Sequence, residues 1–169
     1  MSITGFPPGK FTGSKHISDS VATAAHKDAN LAYIAAKSAV SEHDFTTTSD
    51  LTGMTLTPGV YTFASTASFS GALTLETNSS ASSPQFIFQV GSALTVNVGS
   101  SVVLQGVDPR NVIWQVGSSA TISAGVKFVG TVLAYAAISL GTSASVNGHL
   151  FTDTESITLL TNNITVPVC

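Results

Sequence analysis

Charge is scarce in this chain. Its 169 residues include six Lys and Arg and nine Asp and Glu, 9% in total, for a net charge of −3. Ordinary soluble domains carry roughly 25%. Six basic residues leave no patch to neutralise phosphates, which argues against nucleic acid and anionic membrane as partners. Cysteine is reduced to Cys169, so no intrachain disulfide is expected. No run of about 18 apolar residues is present to span a membrane. Met1-Ser2-Ile3-Thr4-Gly5 lacks the charged and apolar regions of a signal peptide. The missing leader and the single cysteine fit a cytosolic home. The sequons Asn78-Ser79-Ser80 and Asn163-Ile164-Thr165 point the other way.

Hydrophobic residues make up 43%, too many for disorder at so low a net charge. The length suits one domain, expected to span 1–169. With so few charges, the surface must be polar through the 46 Ser and Thr.

The chain has two textures. Residues 1–16, with Gly5, Pro7, Pro8, Gly9 and Gly13, read as an irregular lead-in. From residue 17 to 40 the sequence is Ala-rich and free of Gly and Pro, with Ser18 available as a cap and Asp19 in the first turn. Val21, Ala24, Ala25, Leu31, Ile34 and Ala35 recur at helical spacing, which predicts one helix whose small-residue face lies against the rest. Residues 41–50 read as a polar link. Beyond Leu51 the pattern is short runs of Val, Ile, Thr and Phe punctuated by Gly and Ser, hence strands.

Those strands repeat. Phe88-Gln89-Val90-Gly91-Ser92 returns as Trp114-Gln115-Val116-Gly117-Ser118, 26 residues on. Tyr61-Thr62-Phe63 anticipates Phe86-Ile87-Phe88 by 25. Residues 122–130 match 140–148 at 18, and 137–140 match 156–159 at 19. A unit near 18 residues is three strands of about six, one turn of a solenoid; longer steps hold insertions such as Val107-Asp108-Pro109-Arg110-Asn111. The expected fold is therefore mainly β: a right-handed three-sided parallel β-solenoid over 51–166, flanked by the helix. An antiparallel sandwich is the rival, but it does not explain why one phrase returns in one direction. Phe63, Phe88 and Trp114 are expected to form one internal column, and Leu73, Val102, Phe128 and Val146 another.

Catalytic chemistry finds little support. After Asp50 the β region holds only Glu76, Asp108, Asp153 and Glu155, without the clustered carboxylates that a polysaccharide-cleaving solenoid needs. His16, His26, His43 and His149 show no metal spacing, and His16 at the helix start suits capping or a backbone hydrogen bond. No enzyme activity, metal or cofactor is expected.

Several phrases resemble one family. They are Ser2-Ile3-Thr4-Gly5-Phe6-Pro7-Pro8-Gly9, His16-Ile17-Ser18-Asp19, Leu56-Thr57-Pro58-Gly59-Val60-Tyr61, Phe86 to Ser92, Asn111 to Ser118, and Val146-Asn147-Gly148. In this order they are similar to the ice-binding proteins of the microbial β-solenoid type. The resemblance implies secretion, no enzyme activity, and ice with its ordered water as partner. It also implies a segment of several strands ahead of the phrase at Ser2. Its absence is expected to leave a strand edge open, as in a shortened gene product, an edited sequence or a form closed by self-association. Strongly active members tend to show Thr-(Ala/Gly)-x-(Thr/Asn) near a coil corner. The repeat shifts place Val98, Ala124, Thr142 and Thr161 in one such column, and Ser101, Lys127, Ser145 and Ile164 in its neighbour. From these, Val98, Ser101, Ala124, Thr142, Ser145 and Thr161 are the expected ice-binding residues, on an imperfect face of moderate activity. An adhesive or polysaccharide-binding module is the alternative, but the outward columns lack the aromatics that sugar stacking uses.

Overall fold

The computed structural model describes residues 3–4, 8–45, 49–77 and 84–167. The sequon at Asn78, the lone Cys169 and half of the Ser2–Gly9 phrase lie outside these residues. Three parallel sheets form the sides of a solenoid. Sheet A runs in the order β1 (His43–Phe45), β3 (Gly59–Phe63), β6 (Phe86–Val90), β9 (Val112–Val116), β12 (Thr131–Ala134) and β15 (Leu150–Thr152). Sheet B comprises β4 (Ala67–Phe69), β7 (Leu94–Val96), β10 (Ala120–Ile122), β13 (Ile138–Leu140) and β16 (Ile157–Thr158). Sheet C comprises β2 (Thr55–Leu56), β5 (Ala72–Glu76), β8 (Ser101–Gln105), β11 (Lys127–Val129), β14 (Ser145–Asn147) and β17 (Asn163–Thr165). Each strand pairs in parallel with its equivalent one coil away, which rules out the sandwich.

The repeated phrases mark real stacking positions. Phe88-Gln89-Val90 pairs residue for residue with Trp114-Gln115-Val116. The glycine that follows is fixed by the corner between sheets A and B, where coils touch backbone to backbone. A Cβ on Gly117 would stand 2.3 Å from the Gly91 carbonyl oxygen, and one on Gly91 2.5 Å from that of Ala64. Only glycine permits that approach.

Leu73 pairs with Val102 and Phe128 with Val146 in one internal column, as the repeats imply. The aromatic column differs. Tyr61, not Phe63, pairs with Phe88, because β3 sets Gly59 opposite Phe86 and so offsets the aromatic phrase by two residues. Two residues preserve strand parity, so Phe63 still faces the core, opposite Val90. Phe88 and Trp114 stack with centroids 3.9 Å apart, and Tyr61 lies 5.5 Å from Phe88. The Trp114 indole N–H donates to the Val129 carbonyl at 3.1 Å.

The polar link also differs. It contains β1, which pairs with β3, and Asp50 bridges to Ser68. The solenoid therefore begins before Leu51. Phe45 explains the extension: its ring packs on Phe63 at 4.9 Å and gives the first coil a lid.

Helix α1 (Ser20–Ser38) lies on the outer face of sheet A, along β6, β9 and β12. Asp19 rather than Ser18 is its N-cap, accepting from the Ala22 N–H at 2.8 Å, and His16 Nδ1 holds the other carboxylate oxygen at 2.8 Å. The packed side is also not the expected one. Ala36 is buried and Ala22, Ala29, Asn30 and Tyr33 are half-buried, whereas Val21, Leu31 and Ile34 are exposed. The reason is polar anchoring. Gln89, buried on sheet A, donates through Nε2 to the Ala36 and Ala39 carbonyls, both at 2.8 Å, and accepts from Thr62 at 2.6 Å. Asn30 donates to the Asp153 carboxylate at 3.3 Å. These contacts set the helix rotation, and alanines let it lie close. Among the described residues, no helix is long and apolar enough to cross a membrane.

Candidate functional site

With sheet A covered by the helix, two outer faces remain. Strand parity turns alternate residues outward, and the register decides which align. On sheet B the middle column reads Ser68, Thr95, Thr121, Ser139 and Thr158. Every rung bears a hydroxyl. The rungs follow one another at about 4.8 Å, the spacing of paired strands. A flanking column on the side of sheet A reads Thr66, Ala93, Ser119, Ala137 and Ser156, aligned by the continuing backbone ladder. The column toward sheet C reads Ser70, Asn97, Ser123 and Gly141, again in register.

None of these residues is charged, and each is small or short. Beneath them lie Phe69, Leu94, Val96, Ile122, Ile138 and Leu140, all buried, so the face rests on a packed core. Polar contacts tie rungs together at one margin: Asn97 Nδ2 donates to Ser70 Oγ at 2.9 Å, and the Ser70 N–H donates to Thr52 Oγ1 at 2.8 Å. Asp50 stands at the end of the middle column. Hydrogen bonds from the Thr52 hydroxyl and N–H hold its carboxyl below the usual carboxylate range.

Sheet C presents a mixed surface. One outward column reads Ala72, Ser101, Lys127, Ser145 and Asn163, and Glu76 lies on the same face. A cation in mid-column and a carboxylate at the rim break the surface that Ser101 and Ser145 share. Val98, Ala124 and Thr142 stand at the corner between sheets B and C, with Val98 74% exposed.

Two expected alignments shift by one residue in the last coil. Asn163, not Ile164, continues the column of Ser101, Lys127 and Ser145; Ile164 pairs with Val146 and belongs to the inward set. Thr161 adopts φ +55°, matching Ser143 at +61° and Gly125 at +68°, which sets it one step beyond the Thr142 column. The cause is a shorter corner: the coil spacing is 19 from β13 to β16 and 18 from β14 to β17. The six expected residues thus divide between a corner and sheet C. The middle column of sheet B escaped the sequence reading. Its signal was present: Thr95 and Thr121 each lie four residues after the repeated glycine, Gly91 or Gly117.

Asp108, Asp153 and His26 have structural partners. Arg110 donates to the Asp108 carboxylate, and these bonds hold that group at a pKa of about 2. His26 meets the Asp153 carbonyl at 3.2 Å and its carboxylate at 3.5 Å, beside a small cavity lined by Tyr33, Leu133 and Phe151. Among the described residues no group of three His, Cys, Asp or Glu is placed to hold a metal ion.

Residues 1–165 match the family described as Ice-binding-like. The chain belongs to that family. It is 41% identical over 164 residues to a protein named ice-binding protein from Nostoc sp. (strain HG1), a match covering 96% of this chain and 60% of the relative. A namesake from Flammulina populicola is 30% identical over 184 residues, covering 100% of this chain and 73% of its own length. Among solved structures, the ice-binding protein of the Antarctic ascomycete Antarctomyces psychrotrophicus superposes with a TM-score of 0.93 at 36% identity, over 98% of this chain and 81% of that one. One from an Antarctic biological consortium gives 0.91 at 34% identity, over 97% and 74%. The chain therefore spans less than two thirds of the Nostoc relative it matches.

Proposed function

We propose that this protein binds ice, and does so through the outer face of sheet B. The observation that carries the proposal is the unbroken hydroxyl column Ser68, Thr95, Thr121, Ser139 and Thr158, whose five rungs carry no charge and which meets one only at its end, in Asp50. Ice offers an adsorbing protein neither a charge nor a shaped ligand, only a periodic array of waters. A stiff face with evenly spaced hydroxyls and methyls matches such an array, and a rigid array loses little entropy on adsorption. The β-branch of Thr restricts χ1 and so fixes where its hydroxyl sits. Absence of charge matters because an ion holds its own hydration shell against the lattice. Sheet C, with Lys127 and Glu76, is the poorer candidate. Val98, Ala124 and Thr142 would border the binding face at its corner, while Ser101, Ser145 and Thr161 fall outside it.

The activity is adsorption and inhibition of crystal growth, not catalysis. Ice grows outside the cell, so this reading implies export, in keeping with the family resemblance.

The test compares faces. Thr121→Tyr sets a bulky ring in the middle of sheet B, and thermal hysteresis should fall at least several-fold while the melting temperature stays the same. Ser145→Tyr on sheet C should leave hysteresis near the parent value. The reverse pattern would move the binding face to sheet C, and no hysteresis in the parent protein would overturn ice binding itself.

A further inference from the structure

The hydroxyl column of sheet B changes chemistry in the first coil. Asp50 bridges in parallel to Ser68 and so occupies the rung that precedes Ser68 in the middle column. Thr52 occupies the margin column beside it, where its hydroxyl accepts from the Ser70 N–H at 2.8 Å. Both side chains are exposed. Among the described residues, Asp50 is the only charged side chain in the three outward columns of this sheet.

The carboxylate is also held in place. Its Oδ1 accepts from the Thr52 N–H at 2.9 Å and from the Thr52 hydroxyl. Asp favours such a turn onto the backbone two residues on. The two bonds lay the group along the first rung, toward the margin column, instead of letting it swing off the sheet. They also keep it ionised, with its pKa below the usual carboxylate range. Thr52 is drawn in as well. A hydroxyl has one proton and two lone pairs. Thr52 directs its proton to Asp50 and a lone pair to Ser70, so little of it is left to meet water.

We propose that Asp50 sets the limit of the ice-binding face in the first coil, keeping ice-like water off that rung and confining adsorption to the rungs from Ser68 onward. This role rests on the ice-binding reading of sheet B. Its basis is hydrogen-bond direction. In ice every water both donates and accepts, and a hydroxyl that does both can stand in for a lattice water. An ionised carboxylate only accepts. The waters around it all turn a proton inward, and that arrangement does not continue into the lattice. Stripping them on adsorption would leave the charge without a partner, which is unfavourable. Ser68 stands one strand spacing away, about 4.8 Å, within reach of this shell. Thr95 and Thr121 lie one and two rungs further on.

Substitution should therefore raise activity, a direction that a folding defect does not imitate. Asp50→Asn removes the charge and keeps an acceptor for the Thr52 N–H. Asp50→Thr keeps a weaker acceptor and adds a hydroxyl to the column. One rung joins five, so thermal hysteresis at neutral pH should rise by roughly a fifth in Asp50→Asn and further in Asp50→Thr. Asp44→Asn is the matched control. It makes the same charge change in the same coil but on sheet A, where Asp44 pairs with Thr62 and accepts from Ser41. Its hysteresis should equal the parent value. Unchanged or lower hysteresis in Asp50→Asn at an unchanged unfolding temperature, or an equal rise in Asp44→Asn, overturns the role of Asp50 and leaves ice binding by sheet B standing. Full hysteresis in Thr121→Tyr overturns the sheet B reading itself, and the role of Asp50 with it.

Discussion

At the scale of single residues, the molecule depends on positions where only one side chain fits. Gly117 is such a position: a Cβ there meets the Gly91 carbonyl, and both coils are fixed by neighbours on either side. Gly117→Ala should therefore cost about 1–3 kcal/mol, the usual penalty for overfilling a packed site. Chemical denaturation would show it as a lower midpoint with an unchanged slope. Asp19 depends on pH instead. The Ala22 N–H and then His16 lower its pKa, so its contribution to folding is present above about pH 4, the unfolded carboxyl value. That contribution is lost as pH falls through the depressed folded value. Melting temperatures of the parent and Asp19→Ala should differ at pH 7 and converge as the solution becomes strongly acidic. A constant gap at all pH values would exclude the carboxylate as cause. The glycine phrase was readable in the sequence because steric necessity leaves one residue type. The hydroxyl column was not, since Ser and Thr also decorate sheets C and A, and only the register separates them.

Elements were readable to different degrees. Strand existence and coil spacing follow from repeated phrases, and the parallel sheets bear out the strands and the steps of 26, 18 and 19, while the first step is 27 rather than 25. The helix was legible in extent but not in rotation. Hydrophobic spacing favoured Val21, Leu31 and Ile34, yet sheet A meets the helix through Gln89 and Asp153, partners that no periodicity announces. Gln89 is the main latch, since the last turn of any helix leaves carbonyls without intrahelical partners and Gln89 satisfies two of them at 2.8 Å. Gln89→Ala takes this donor from both carbonyls and leaves that of Ala36 only its long bond from the Ala39 N–H at 3.4 Å, and should cost about 1–3 kcal/mol. Hydrogen exchange should rise most in the C-terminal turns of α1, around residues 33–39. An even rise along the whole helix would show that its seat on sheet A, rather than the latch, had been lost.

The whole molecule is a stack in which each coil touches only its neighbours, so its stability should vary along the axis. Large aromatics gather toward the beginning: Phe45, Tyr61, Phe63, Phe88 and Trp114 follow one another through successive contacts, the tightest at 3.9 Å. Toward the other end the inward positions become Val132, Ala134 and Val146, and finally Ile157 and Ile164, each 38% exposed. Apolar burial is the main stabilising force, at roughly 25 cal/mol per Å². Opening the last coil should therefore need far less free energy than opening the middle ones. Amides of β16 and β17 should exchange first in dilute protein, those of β13 and β14 next, and those of β6, β7 and β9 only with global unfolding. The ice face crosses this gradient: Thr95 and Thr121 stand on the stiff part, and Thr158 on the part that opens most readily. Stiffness is what the proposed adsorption requires, so blocking Thr121 should impair hysteresis more than blocking Thr158. Uniform protection along the stack would contradict the gradient.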